Sequence, residues 1–410
     1  MNPAPRRQTA KGGARHLPRG VARPSYPEPM NYLDHAATTP VRPEALAAIT
    51  ESLEADFGNP SSVHAAGRRA RQAVEEARDR IAAAIGASPS EVVFTGGGTE
   101  ADNLALKGAT AKLRANGDHL VTTQFEHHAV LDSVSWLERR GAQATLVPVG
   151  CDGIVDPADV ASAVRPSTTV VSVMAVNNEI GTIQPVAEIA EAVRSARRST
   201  LAHTDAVQAL GNIPVDVHAW GVDLAAFAAH KIGGPKGVGA LFVRSHVPVD
   251  ALVHGGGQER GLRSGTLNVA GIVGFGVAAE IAAKEVHEKS ERLLRLRTKL
   301  WDGIRVAVPD ATVNGSLDAR VAGNLNVSLP GTTGETLLLL LDAAGIACSS
   351  GSACASGALD PSHVLLAIGV PRELAAGSVR FSLGWPSTDD DVDAVLRVLP
   401  DVVERARRAA

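Results

Sequence analysis

Two side chains in this sequence stand in settings that suit covalent chemistry, those of Lys231 and Cys354. Lys231 closes the run Asp223-Leu-Ala-Ala-Phe-Ala-Ala-His230-Lys231 and leads into Ile-Gly-Gly-Pro-Lys236-Gly. An apolar run ended by basic residues and a glycine turn predicts a buried strand that delivers a lysine to the end of a sheet. Burial lowers the pKa of a lysine, and the free amine attacks carbonyls to form Schiff bases. A surface lysine that merely ends a strand is the alternative. Cys354 lies in Ile346-Ala-Cys348-Ser-Ser-Gly-Ser-Ala-Cys354-Ala-Ser-Gly-Ala-Leu-Asp360, where small residues on both sides predict an exposed, loosely packed loop. A thiolate there is a nucleophile able to meet a substrate and then an outside partner; an idle thiol is the other reading.

Further candidates follow predicted strands. Glu126-His127-His128 follows His119 to Thr123, Asn177-Asn178-Glu179 ends the stretch from Thr168, Asp205 with Gln208 follows Leu201 to Thr204, and His230-Lys231 follows Leu224 to Ala229. Singly, His127 reads as a structural histidine and Asp205 as a helix N-cap. Helices predicted between these strands make a mainly parallel sheet with ligands at its carboxyl ends, so the polar residues gather in one crevice. Glu91 to Thr95 is another strand, followed by Gly96-Gly97-Gly98-Thr99-Glu100 and a helical run from Ala101 to Leu113. Such a turn suits a phosphate, although it is no Walker loop and a plain tight turn is the alternative.

The remaining chain sets bounds. With 410 residues, 45% of them apolar, 20% charged and a net charge of -4, it is a globular protein with no bias toward nucleic acid or acidic membranes. No apolar run approaches the roughly 18 residues that span a bilayer. Three cysteines make no disulfide framework, which points to the reducing cytoplasm. Cys348 reads as a small hydrophobe on a buried strand and Cys151 as an exposed thiol in a turn. No His or Cys pair has zinc-site context, so no metal is expected. Residues 1–29, basic and rich in Pro, Gly and Arg, predict a disordered tail; folded structure is expected from Met30, itself a candidate start.

The glycine-rich stretch His254 to Asn268 predicts a binding loop, and a helical region from Val269 to Val308 a bridge to a second domain. That domain would hold strands Asn324 to Leu329 and Ser378 to Leu383, and helices Gly334 to Ala344, His363 to Gly369 and Asp390 to Arg407. The expected division is a large α/β domain over 42–285 and a smaller α+β domain from 30–41 with 286–410, which carries the cysteine loop.

From Tyr32 to about Arg407 the chain resembles the class V aminotransferases, and within them the cysteine desulfurases of the NifS/IscS type. The resemblance rests on LDHAATTP, FGNPSSVH, FTGGGTEADNLA, EHHAVL, VNNEIGTIQP, HTDAVQALG, AHKIGGPKG, HGGGQERGLRSGT, SSGSACASGALDPSHVL and VRFSLG. It implies the dimeric, pyridoxal 5'-phosphate (PLP)-dependent type I fold. By this resemblance Lys231 holds PLP as a Schiff base, Asp205 faces the pyridine nitrogen, Gln208 and Asn178 bond the ring hydroxyl, and His127 stacks on the ring. Gly98, Thr99 and His230 meet the phosphate, joined by Thr266 of the other subunit, and Arg380 takes the substrate carboxylate. The implied reaction turns L-cysteine into L-alanine and leaves a persulfide on Cys354 for a sulfur acceptor in iron–sulfur assembly or in tRNA or cofactor thiolation. Selenocysteine lyase, or another class V aminotransferase or epimerase, is the alternative. At Ala228 the sequence departs from the family, which usually has a hydroxyl residue there as a phosphate donor. It also ends without the longer tail that docks the scaffold in some relatives.

Overall fold

The structure, a computed structural model, describes residues 30–350 and 361–409. After the short strand β1 (Asn31–Tyr32), a seven-stranded sheet is built from β2 (Val92–Thr95), β3 (His119–Thr123), β4 (Gln143–Val147), β5 (Thr168–Ser172), β6 (Leu201–Asp205), β7 (Leu224–Ala228) and β8 (Gly239–Val243). Its order is β2-β8-β7-β6-β5-β3-β4. Only β8 runs against its neighbours; the pairs β7–β6, β6–β5, β5–β3 and β3–β4 are parallel. Strands β2, β3, β5, β7 and β8 are buried at every residue, as expected of a sheet covered by helices on both faces.

Phe94, Phe227 and Phe242 on one face pack with Ile81 of the helix Ala65–Ile85 and with Ile272 and Phe275 of the helix Val269–Ala307. Each buried phenylalanine contributes about 1.5–3 kcal/mol. Those two helices touch closely, because a Cβ on Gly276 would stand 2.8 Å from Cα of Ala77. On the other face Leu120, Leu224 and Leu241 pack with Leu104 and Val130.

The helix Val269–Ala307 is 39 residues long and serves two cores. Its first half supplies Ile272, Phe275 and Ala279 to the large sheet. Its second half supplies Leu293, Leu296, Leu300 and Ile304 to a cluster with Phe381 and with Val395 and Leu399 of the last helix, Asp389–Ala409. Around this second core lie β9 (Thr312–Val313), β10 (Asn324–Ser328), β11 (Ile346–Ala347) and β12 (Ser378–Ser382); β9, β10 and β12 form an antiparallel sheet in the order β12-β10-β9, and β1 pairs in parallel with β11.

Most expected elements fall within a few residues of their places. Three features differ. The helix after the glycine turn begins at Gly98 rather than Ala101 and passes through a π-helical stretch, Leu104–Gly108. β8 is antiparallel, which its five apolar residues do not reveal. Cys348 lies just beyond β11 and is half-buried, its thiol pushed up to about 12, chiefly by burial. Cys151 is exposed in its turn.

Candidate active site

The carboxyl ends of β3, β5, β6 and β7 border a cavity of about 320 Å³. Lys231 reaches it from the turn Ala229–Lys231 that follows β7, and its Nζ donates to the carbonyls of Ala36 (2.6 Å) and Ala37 (2.9 Å). Gln208 Nε2 donates to the same Ala36 carbonyl at 2.8 Å. The stretch Leu33 to Pro40 is therefore part of the site wall, a role that its turn-like composition alone does not disclose.

Asp205 is the last residue of β6, and its Oδ1 accepts the Val207 N–H at 2.9 Å. Burial raises its pKa, while His127 and Lys231 act in the opposite direction. His127 caps the helix His128–Glu138 by accepting the Ala129 N–H on Nδ1 at 3.0 Å, which places the proton of the neutral ring on Nε2. Burial lowers its pKa, so the neutral form is favoured.

Near Asp205 lie Glu126, a candidate at its strand end, and two residues that the sequence does not single out, Asp102 and His203. His203 precedes Asp205 by two residues on β6, and its Nε2 stands 3.5 Å from Asp102 Oδ1; neither atom has a hydrogen-bond partner among the described residues. Glu126 Oε1 accepts from Thr123 Oγ1 and the Met174 N–H, while Oε2 has no hydrogen-bond partner among the described residues. Burial pushes Glu126 up to about 8 and His203 down to about 3, and burial with the nearby carboxyls lifts Asp102 well above the carboxylate range. Carboxyls this close in a dry interior do not all ionise. Burial thus disfavours the anion at each of Asp102, Glu126 and Asp205.

Gly97 has φ 152°, a value that favours glycine, and turns β2 into the helix that begins at Gly98. A Cβ on Gly98 would come within 2.5 Å of Val207 Cγ2, so the turn lies tight against the loop after Asp205. Gly98, Thr99, His230 and Ala228 line the cavity here. His230 bonds Thr38 Oγ1 at 3.2 Å and is held near 4 by burial and by Lys231 and Lys236.

Arg380, buried on β12, also lines the cavity. Its Nη2 donates to Asp34 Oδ1 at 2.6 Å and its Nη1 to the Asn178 carbonyl at 2.7 Å. Thr266 is exposed on its loop and does not line this cavity. Cys354 lies outside the described residues. The residues flanking its segment are fixed near the cavity: Ser349 bridges Arg380, and Ser362 Oγ donates to Glu179 Oε2 at 2.5 Å.

A lysine amine, a buried carboxyl set, an imidazole and a glycine turn at a helix N-terminus together fit a phosphorylated pyridine aldehyde, with a guanidinium on the cavity wall. That combination defines a PLP enzyme of the type I fold. The chain belongs to the class V aminotransferase family, whose profile, described as "Aminotransferase class-V", matches residues 31–395; its cofactor is PLP. It is 47% identical over 376 residues to a cysteine desulfurase IscS of Methanosarcina thermophila, covering 92% of each chain. It is 50% identical over 388 residues to an IscS-like cysteine desulfurase of Mycobacterium tuberculosis, covering 93% of this chain and 98% of the relative. Among solved structures it resembles a NifS-like protein (39% identity, TM-score 0.87, 92% of this chain and 100% of that one). It also resembles SspA in complex with cysteine (35% identity, TM-score 0.77, 86% and 98%).

Proposed function

We propose that the protein is a PLP-dependent cysteine desulfurase that converts L-cysteine to L-alanine and takes the sulfur onto Cys354. The observation that carries this reading is the convergence of Lys231, Asp205, His127 and Arg380 on one cavity, beside which both flanks of the Cys354 segment are tied down. The desulfurases among its relatives support it.

When bound, the cofactor supplies a carbonyl for amine capture and an electron-poor ring that spreads negative charge from the substrate. Lys231 holds it, and its Nζ moves the proton at the substrate α-carbon. Asp205, as the anion, would pair with the ring nitrogen; Gln208 and Asn178 would hydrogen-bond the ring hydroxyl, and neutral His127 would stack on the ring. Gly98, Thr99 and His230 hold the phosphate, with Thr266 supplied by a second subunit. Arg380, braced by Asp34, binds the substrate carboxylate through its fork. The Cys354 thiolate attacks the substrate sulfur: an S–S bond forms, the Cβ–S bond breaks, its electron pair stays with the carbon fragment, and protonation completes alanine. The persulfide then passes to an acceptor protein in iron–sulfur assembly or thiolation.

A homodimer is part of this reading, supported by Leu53, Phe57 and Val63, which are 67%, 80% and 86% exposed on one stretch. So are the cytoplasm as compartment and the division into domains 42–285 and 30–41 with 286–410, supported by the long helix that feeds two cores. No described helix is long and apolar enough to cross a membrane. Cys354→Ser tests the central step. The variant should keep the cofactor's absorbance change on adding L-cysteine and lose protein-bound persulfide and sulfide release. Undiminished sulfide release would remove Cys354 from the reaction.

A further inference from the structure

The loop from Val253 to Thr266 is secured to itself, to helix Ala65–Ile85 through Glu259 and Arg78, and to the stretch that runs into the glycine turn. Val253 bridges Arg263, the Gly265 N–H donates to Gln258 Oε1 at 2.8 Å, and the Gly257 N–H donates to Ser264 Oγ at 3.3 Å. Outward, its contacts fall repeatedly on the stretch from Val92 to Glu100. Glu259 accepts the Phe94 N–H at 2.7 Å, and Arg260 Nη2 donates to the Val92 carbonyl at 3.0 Å. Both residues hold left-handed backbone, with φ 48° and 57°, which costs a side-chain-bearing residue free energy and persists where contacts over-determine it.

The contact nearest the phosphate turn is made by Arg263. Its Nε donates to Glu100 Oε1 at 2.8 Å and its Nη2 to Glu100 Oε2 at 3.3 Å, a two-point fork. The same Oε2 accepts the Gly96 N–H at 2.7 Å. Glu100 therefore holds, with one carboxylate, the first residue of the glycine turn and the arginine three residues before Thr266. Both side chains are about three-quarters buried, with relative exposures of 28% for Glu100 and 25% for Arg263, so water only partly screens them.

We infer that Glu100 and Arg263 are positioning residues that latch the Gly96–Thr99 turn of a subunit's own cofactor site to the arm carrying Thr266. The two parts move as one piece. Ordering the turn around a phosphate orders the arm, and an arm held in place pre-forms the turn. Because this rests on the reading that Thr266 serves a second subunit, the latch makes each site's occupancy felt at the other.

The test compares hydrogen exchange of segments 94–100 and 253–266 in apo- and holoenzyme, together with the rate of PLP release. The proteins are wild type, Thr266→Ala, Arg263→Met and Thr266→Ala/Arg263→Met. In Thr266→Ala the arm has no cofactor contact of its own, yet PLP should still slow exchange in both segments. Adding Arg263→Met should abolish the PLP-dependent protection of 253–266 while that of the turn persists, and Arg263→Met alone should speed PLP release about fivefold, the worth of a partly screened ion pair. Glu100→Gln keeps the acceptor for Gly96 and should reproduce the Arg263→Met pattern, so a folding defect in one variant is recognisable. Arm protection in the double variant equal to that in Thr266→Ala overturns the latch. A monomer by light scattering, or PLP release unchanged by Thr266→Ala, overturns the two-subunit reading and leaves the intrachain latch to stand or fall on the exchange data.

Discussion

Two buried carboxylate groups in this molecule are built in opposite ways. Glu259 is satisfied throughout: it accepts from Arg78 Nη1 (2.9 Å), Arg78 Nη2 (2.7 Å) and the Phe94 N–H (2.7 Å), with the guanidinium over the Phe94 ring. Asp102, Glu126 and Asp205 are buried as deeply, but among the described residues no arginine pairs with them, and Asp102 Oδ1 and Glu126 Oε2 have no hydrogen-bond partner. The first group spends its charge on holding helix Ala65–Ile85, β2 and the glycine-rich loop together. The second is pushed by burial toward the protonated form. Of these two carboxylate groups, the one beside the cavity is incompletely satisfied and the one in the scaffold is completely satisfied.

The same chemical change should therefore have opposite results at the two places. Glu259→Gln removes the charge and leaves Arg78 buried with only the half-exposed Glu75 as counter-charge. The expected loss is about 3 kcal/mol, the low end for a broken buried pair. Asp102→Asn replaces a carboxyl that burial and the nearby carboxyls push toward the protonated form, and should change stability by less than about 1 kcal/mol. Urea unfolding of the two variants decides it, and equal losses would erase the distinction.

A further effect follows from pH. Glu126 is raised from 4.5 to about 8, so between those values the folded protein keeps a proton that the unfolded chain has released. Its contribution is full below about 4.5 and is lost as pH climbs toward 8, on the order of 1 kcal/mol per pH unit at most. The raised Asp102 and Asp205 extend the same alkaline limb. The lowered His127 and His203 act on the other side, costing stability as pH falls below about 6.5. Glu126→Gln should flatten the alkaline limb and leave the acid limb in place. Parallel urea-midpoint curves for wild type and variant from pH 5 to 8.5 would mean that Glu126 is ionised throughout.

The contrast also explains what the sequence disclosed. Asp205, His127 and Lys231 stand at strand ends, where a change from apolar run to polar residue is visible in a linear text, and the parallel order of strands brings them together. Asp102 and His203 sit inside a helix and a strand, so their partnership exists only through packing across the sheet. Asp34 bracing Arg380 spans 346 residues of chain, and no local pattern connects them. The reversal of β8 is hidden for the related reason that burial on both faces erases the alternation by which a strand shows its setting. The pairing of Arg78 with Glu259, 181 residues apart, was equally out of reach.

The smallest expected effect lies at Ala228. Ala228 ends β7, is 3% exposed, and lines the cavity 3.6 Å from where a Cβ on Gly98 would stand. A hydroxyl at this position would reach toward the phosphate turn from the strand that leads to Lys231, on rigid backbone that loses little entropy in presenting it. One hydrogen bond to a charged group contributes roughly 1.5 kcal/mol at the modest end, or about tenfold in an equilibrium constant. Ala228→Ser should slow PLP release on dialysis by up to that factor, with unfolding in urea unchanged for the apoprotein. Release that stays the same would mean that His230 and the turn's own N–H groups already saturate the phosphate, and that satisfaction at this corner of the site is as complete as at Glu259.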